Sequence, residues 1–273
     1  MSQISISRIR LISGFILILS LLWFSLEAKA ADFEVISFER GGISDSTGIV
    51  PPKKIQLEFG AWDYARDFDT SKRFVHKLGT SLWRYGLIED RLEFRVANSG
   101  LNINSSEVGF DSLDLGYKLA LIQAQQAEKA WYIPEVNLIN HFSIPLSDTH
   151  FFNSGFNHFY KFLIAKPIGD KWSALINLGP RFRSGRTISS DDGQLAELPY
   201  VFNLGYQINQ RWQIFTEIFG SWVFSSRAED ILGATVGTTY ALKENLIWDF
   251  NTFWGLNSNT EGFGISTGLV YRF

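Results

Sequence analysis

The 273-residue chain carries 25 basic and 28 acidic residues, a formal net charge of −3, no cysteine and 15% aromatic residues. Without cysteine there is no disulfide scaffold, thiolate metal site or thiol nucleophile, and an acidic balance lacking any basic run argues against a nucleic-acid partner. A hydrophobic content of 45% is too high for a disordered secreted chain.

Met1–Ala30 begins basic (Arg8, Arg10), runs apolar from Leu11 to Phe24 and ends Ala28-Lys29-Ala30. That order predicts an export signal over residues 1–30 with an A-x-A cleavage site. The apolar run is too short and wrongly flanked for a membrane anchor. Removing it takes three basic residues and one acidic one, moving the net charge from −3 to about −5. Residues 31–52 are expected to form a short periplasmic N-terminal segment, either entering the barrel as a plug or hanging in the periplasm, with Gly41-Gly42 and Pro51-Pro52 read as linker and strand entry. After Ala31 no apolar stretch approaches the eighteen or so residues a spanning helix needs. Two homes suit such a chain: a soluble periplasmic β protein or an outer-membrane barrel.

From residue 53 to 273 the hydrophobic period is two, not 3.6. Turn signals divide the stretch into about twelve strands, at 53–64, 72–85, 91–100, 110–122, 131–144, 156–166, 171–183, 196–208, 211–224, 231–242, 246–256 and 263–273. Leu113, Leu115, Tyr117, Leu119 and Leu121 alternate with Asp114, Gly116, Lys118 and Ala120. Phe202, Leu204, Tyr206 and Ile208 alternate with Asn203, Gly205 and Gln207. In the last strand Phe263, Ile265, Thr267, Leu269, Tyr271 and Phe273 share one face, and Val270 is the apolar exception on the other. Short links (86–90, 167–170, 209–210, 243–245, and a longer one at 123–130) alternate with longer polar ones. A sandwich has no reason to sort its loops by parity, whereas an outer-membrane barrel has short periplasmic turns and long external loops. Trp131, Trp172, Trp212 and Trp248 recur at or near starts of strands that follow short turns, a spacing that also suits propeller blades. Blades hold four short strands, however, and these units read as two long ones. The expected fold is an all-β transmembrane antiparallel up-and-down barrel, residues 53–273, with those tryptophans at the periplasmic girdle and Trp62, Trp222, Phe224 and Trp254 at the opposite rim.

Charges on the face opposite the lipid-facing residues are candidate pore-lining groups: Glu93, Arg95, Asp114, Lys118, Glu135, Lys161, Arg181, Arg183, Glu217 and Asp249. A basic residue facing lipid near mid-membrane costs about 2–4 kcal/mol, which favours the inward assignment. Two readings compete: the charges line a watered pore and set its selectivity, or they pair into a lattice filling a narrow lumen. Inward Phe215, Phe219 and Phe253 point to a constricted, partly apolar lumen. Neither catalytic nor metal-binding residues stand out. His76, His141, His150 and His158 lack zinc-site spacing, although His141 and His158 lie on neighbouring strands where they could face one region. Asp191-Asp192-Gly193 reads as a solvated loop. An acyl-ester hydrolase needs a serine within reach of a histidine base; Asn153-Ser154-Gly155-Phe156-Asn157-His158 has the residue types in the wrong order, and Gly-x-Ser-x-Gly is absent.

Leu269-Val270-Tyr271-Arg272-Phe273 resembles the C-terminal assembly signal of bacterial outer-membrane proteins. Glu39-Arg40-Gly41-Gly42-Ile43-Ser44-Asp45-Ser46 leads through Val50-Pro51-Pro52-Lys53 into Ile55-Gln56-Leu57-Glu58-Phe59-Gly60, and Arg84-Tyr85-Gly86-Leu87-Ile88-Glu89-Asp90-Arg91-Leu92-Glu93-Phe94-Arg95 forms a hairpin. Together with Trp254-Gly255-Leu256-Asn257, these stretches resemble the family of outer-membrane channels named after the meta-pathway of phenol degradation. The family more often has Asp-Arg-Pro where this chain has Glu39-Arg40-Gly41. The resemblance implies an outer-membrane channel passing small solutes, including aromatic or hydrophobic ones, without enzymatic activity or cofactor. Its implied partners are outer-membrane lipid, the solute, and the assembly machinery acting on the Phe273 strand. A lipid hydrolase and a non-conducting structural or adhesion barrel are the alternatives.

Overall fold

The computed structural model describes residues 36–67, 74–104, 108–123, 132–146, 157–184, 194–224 and 230–273. The expected export signal, Trp131, His150, Ser154 and Asp191-Asp192-Gly193 lie outside these residues. Fifteen strand segments follow one another: β1 (Ile55–Arg66), β2 (Phe74–Ile88), β3 (Leu92–Asn98), β4 (Leu101–Asn104), β5 (Val108–Phe110), β6 (Ser112–Ile122), β7 (Glu135–Pro145), β8 (Asn157–Ile168), β9 (Trp172–Leu178), β10 (Arg181–Ser184), β11 (Gln194–Asn209), β12 (Trp212–Val223), β13 (Ile231–Lys243), β14 (Leu246–Gly255) and β15 (Phe263–Arg272). Three pairs are single staves with one interruption, because β2 runs beside both β3 and β4, and β8 and β11 each run beside both β9 and β10, while β5 and β6 pair with β4 and β3. Twelve antiparallel staves result. β15 returns to β1, with Phe59 opposite Leu269, and closes the barrel.

The interruptions have local causes. Gly100 (φ +71°) lies beside Gly79 (φ +68°), both in the left-handed region that side chains disfavour. A Cβ on Gly100 would sit 2.6 Å from the Leu78 carbonyl oxygen. Between β9 and β10, Pro180 has no N–H to give, nor has Pro199 on β11; there Gly179 N donates to Pro199 O at 3.4 Å and Tyr160 N to Pro180 O at 3.0 Å. Short turns carry their own chemistry. Gly169 turns at φ +63°, and the Asn209 Oδ1 accepts from Arg211 N (2.9 Å) and Trp212 N (3.0 Å), closing the β11–β12 turn from its own side chain.

Alternation sorts the faces as expected for lipid outside and polar contents inside. Phe59, Phe94, Tyr117, Phe162, Phe202, Ile218, Val236 and Leu269 are exposed, while Glu58, Arg84, Glu93, Lys118, Asn177, Glu217 and Asp249 are buried. Exposed apolar and buried charged side chains invert the pattern of a soluble domain, and a transmembrane barrel is the architecture that needs that inversion. Trp172, Trp248, Trp222 and Trp254 stand on the exposed face near strand ends, and the Trp248 indole N–H donates to Thr267 Oγ1 at 3.1 Å.

The sequence leaves open whether the N-terminal segment enters the barrel or hangs outside it, and in the structure residues 36–52 lie against the inner side of the barrel strands. Pro52 bridges to Gly86 near the short-turn end of β2, and from there the segment runs among inward side chains, with Ile36 and Val50 buried. Inward charges on the strands give it partners that water would otherwise supply.

Candidate functional site

The site is the lumen and the N-terminal segment lodged in it. On one side, β1, β2, β3 and β6 contribute Glu58, Arg84, Glu93, Arg95 and Lys118, and the segment adds Glu39; all six are buried. Arg84 donates from Nε and Nη2 to the two oxygens of Glu93, both at 2.8 Å, and from Nη1 to Glu58 Oε1 at 2.9 Å. Arg95 and Lys118 both contact Glu39. Glu58 Oε2 in turn accepts from the backbone N–H groups of Glu39 and Arg40, each at 2.8 Å. The strands alone carry three cations against two carboxylates, and Glu39 brings the set to balance. An uncompensated buried charge costs several kcal/mol, so these strands and the segment depend on each other.

Across the lumen the segment is held by separate contacts. Arg40 turns away from Glu39 towards β14 and β15, donating from Nε to Asp249 Oδ2 at 3.1 Å and from Nη2 to Ser266 Oγ at 3.0 Å. Its guanidinium occupies the space where Cβ atoms on Gly60 and Gly268 would stand. Gly41 takes φ +104°, and a Cβ on Gly42 would meet the Glu217 carboxylate at 2.5 Å. Glu217 accepts from Ile43 N (2.7 Å), Ser44 N (3.0 Å) and Asn203 Nδ2 (3.0 Å). Gly41-Gly42 is therefore more than linker: it lets the chain double back against β12. Further along, Asp45 contacts Lys161, Asp45 N donates to Asn177 Oδ1 at 2.6 Å, and Thr47 Oγ1 donates to Glu135 Oε2 at 2.6 Å.

Two cavities flank this turn. One, of ≈ 360 Å³, lies towards the short turns between Lys166, Ser173, Gln213, Phe215 and Thr239. The other, of ≈ 520 Å³, lies towards the long loops between Tyr64, Val75, Phe219, Phe253 and Thr260. Arg40 and Gly42 line both. Outside the span, partial desolvation raises the carboxyl of the otherwise exposed Glu261, against the pull of the Lys77 ammonium.

Of the ten charges singled out from sequence, Glu93, Arg95 and Lys118 stand in the buried lattice, and Glu135, Lys161, Glu217 and Asp249 contact the segment. Arg181 and Arg183 instead pair with Glu197 on β11, at 3.2 and 2.9 Å, and Asp114 accepts from Ser112 at 3.1 Å. Sequence reasoning missed Glu39, Arg40, Asp45, Glu58, Arg84 and Glu197. Arg84 and Glu58 had a signal, since each lies between two outward aromatic or leucine positions in an alternating run. The segment residues had none, because a linker has no period.

His141 and His158 do not share a region. His141 is buried in the lumen, whereas His158, one register step away opposite outward Phe142 and Phe182, accompanies the lipid-facing row and contacts Asn140 through Nε2 at 2.8 Å. No hydrogen bond joins His158 to a serine hydroxyl among the described residues, and no cluster of potential metal ligands occurs among them.

An outer membrane channel from Pseudomonas putida F1 matches the structure with a TM-score of 0.64 at 11% identity, over 90% of this chain and 100% of that one. The NanC porin matches with a TM-score of 0.57 at 9% identity, over 80% of this chain and 100% of the other. Likeness at such identity establishes the barrel fold. No protein of curated function matches by sequence. The family described as "Putative MetA-pathway of phenol degradation" matches residues 38–273, nearly all of the barrel and the segment within it, and the chain belongs to that family.

Proposed function

We propose that the protein is an outer-membrane channel for passive passage of small solutes, including aromatic or hydrophobic ones, closed in this structure by its N-terminal segment. The observation that carries this reading is the pair of cavities entering from opposite ends and separated at Arg40–Gly42. A barrel serving only as a scaffold needs neither cavity. The inward charges named from sequence are proposed to line the path once the turn moves, and residues 1–30 to act as the export signal. Phe273, whose N donates to Ile55 O at 2.9 Å and whose ring stacks on Trp83, is proposed to end the strand read by the assembly machinery.

Single-channel currents across planar bilayers test the reading. Wild-type protein is expected to show rare openings, and Glu217→Ala and Arg40→Ala to show longer and more frequent ones. If all three are folded by heat-dependent gel mobility yet neither pass current nor speed solute entry into liposomes, a non-conducting structural barrel replaces the channel.

A further inference from the structure

Near the long-loop end of β10 the ion pairs do not balance. Arg181 and Arg183 point inward on either side of the outward Phe182, and among the described residues both contact one carboxylate, Glu197. One oxygen of the buried Glu197 already accepts from Arg183 Nη2 at 2.9 Å and from Ser221 Oγ at 3.2 Å. The other lies 3.2 Å from Arg181 Nη1 without the alignment of a hydrogen bond, and Arg183 Nε has no partner among the described residues. The two arginine side chains stay 38% and 35% exposed, so N–H groups that Glu197 does not engage face the open lumen.

Neighbouring inward positions sharpen the site. Phe159 stands opposite Arg181 across β8–β10 and carries the guanidinium 5.9 Å from its ring centroid, while the buried His141 packs against the same ring. Asn157 stands opposite Arg183, and its Oδ1 is buried without a partner among the described residues. Buried polar atoms left in this state are ordinarily met by water or a ligand. The remaining charges at this level do not cancel the excess. Lys161 is taken by Asp45. Asp114 accepts from Ser112 and pairs with neither arginine; it stands three staves away, about 14 Å along the wall at roughly 4.8 Å per strand. Two guanidinium charges against the one carboxylate in contact with them leave one positive charge over.

A guanidinium presents paired N–H groups that fit the two oxygens of a planar carboxylate. One surplus charge suits a monoanion, whereas a dianion would bring its second charge against Glu197. We propose that Arg181 and Arg183 form a binding site for the carboxylate of a small monoanionic solute arriving from the long-loop end. Glu197 sets the strength of that site by competing for the same guanidinium groups. The proposal deepens the channel reading by naming a solute class and rests on that reading for its physiological meaning, but binding alone tests it.

The probe is trifluoroacetate, followed by 19F NMR with the full-length mature protein in nanodiscs of zwitterionic lipid at constant ionic strength. Saturable broadening of the probe signal is expected with wild-type protein, reversed by acetate and not by equal concentrations of chloride or sulfate. The neutral counterpart 2,2,2-trifluoroethanol should show none. Arg181→Gln and Arg183→Gln should each weaken binding about tenfold, the scale of one charge-assisted contact. Arg181→Lys keeps the charge but loses the fork and should weaken it less. Glu197→Gln should tighten binding about fivefold by removing the competing charge, a gain that structural damage does not produce. Lys77→Gln removes a cation from β2 and should change nothing. Each variant is first shown to be folded by heat-dependent gel mobility; if an arginine-to-glutamine variant does not fold, Arg181→Lys and Glu197→Gln decide. Equal broadening in the wild type and the arginine variants, displacement by chloride or sulfate as readily as by acetate, or weaker binding in Glu197→Gln overturns the site. If trifluoroacetate binds but no protein variant conducts, the channel reading fails and the site stands; conduction without saturable binding does the reverse.

Discussion

The two walls of the lumen use the same alternation of side chains for opposite ends. Inward positions on β1, β2, β3 and β6 carry Glu58, Arg84, Glu93, Arg95 and Lys118, all buried against the segment. Inward positions on β12–β15 carry phenylalanines lying on glycines, and the space they clear is left as cavities. The first wall has more buried cations than carboxylates until Glu39 arrives, so it binds the segment firmly. The second meets the segment mainly through Glu217, which holds Ile43 and Ser44, and Asp249, which shares Arg40 with Glu58 of the first wall. If one part of the segment moves, it is the Gly41–Ser44 turn held by Glu217, while Glu39 stays with the charged wall.

That contrast is easiest to break at Arg84. Arg84→Ala leaves Glu58 and Glu93 buried without their main partner, and loss of one member of a buried pair costs about 3–5 kcal/mol. The temperature at which the folded band disappears in gel mobility should fall further than for any other variant here; an unchanged midpoint would mean the lattice holds nothing. Glu217→Ala comes next. It removes the acceptor for Ile43 N, Ser44 N and Asn203 Nδ2, groups that water from the flanking cavities can partly re-solvate, so about 1.5–3 kcal/mol is lost. Most of that loss should appear as greater protease access to residues 40–47 and longer channel openings, with the barrel midpoint little moved. Equal loss of barrel stability in the Arg84 and Glu217 variants would erase the distinction between the walls.

Gly233→Ala probes the second wall directly. Overpacking against Phe219 should cost about 1–3 kcal/mol, and Phe219→Leu in the same chain should recover most of it. The smallest effect is expected at Glu261. Its carboxyl is a weaker acid in the folded protein, through partial desolvation opposed by Lys77. Its stabilising contribution is therefore complete below the unfolded value of about 4.3 and is lost as pH rises through the raised folded value. Glu261→Gln should flatten that shallow decline in thermal midpoint above pH 4; a steeper decline would reverse the sign.

The inward phase of Glu93, Lys118 and Asp249 was legible because each sits between outward apolar neighbours in a run of period two. Glu39 and Arg40 are adjacent in a stretch with no period, and nothing local says that one faces Arg95 and the other Asp249. The Gly41-Gly42 pair looked like linker for the same reason; its need comes from Glu217, more than 170 residues away. His141 and His158 show a further limit. Neighbouring strands do not imply a shared face, since one step of register moves a side chain from lumen to lipid.

Sequence alone determined the twelve staves, their inner and outer faces and the sorting of short turns from long loops. Those properties come from the two-residue repeat of a strand and from turn residues, both local. Only the tertiary structure decided what occupies the lumen. Closing β15 onto β1 sets which inward charges come within reach of one another, and that distance determines that Glu39 completes one wall while Arg40 reaches Asp249 on the other, between the two cavities.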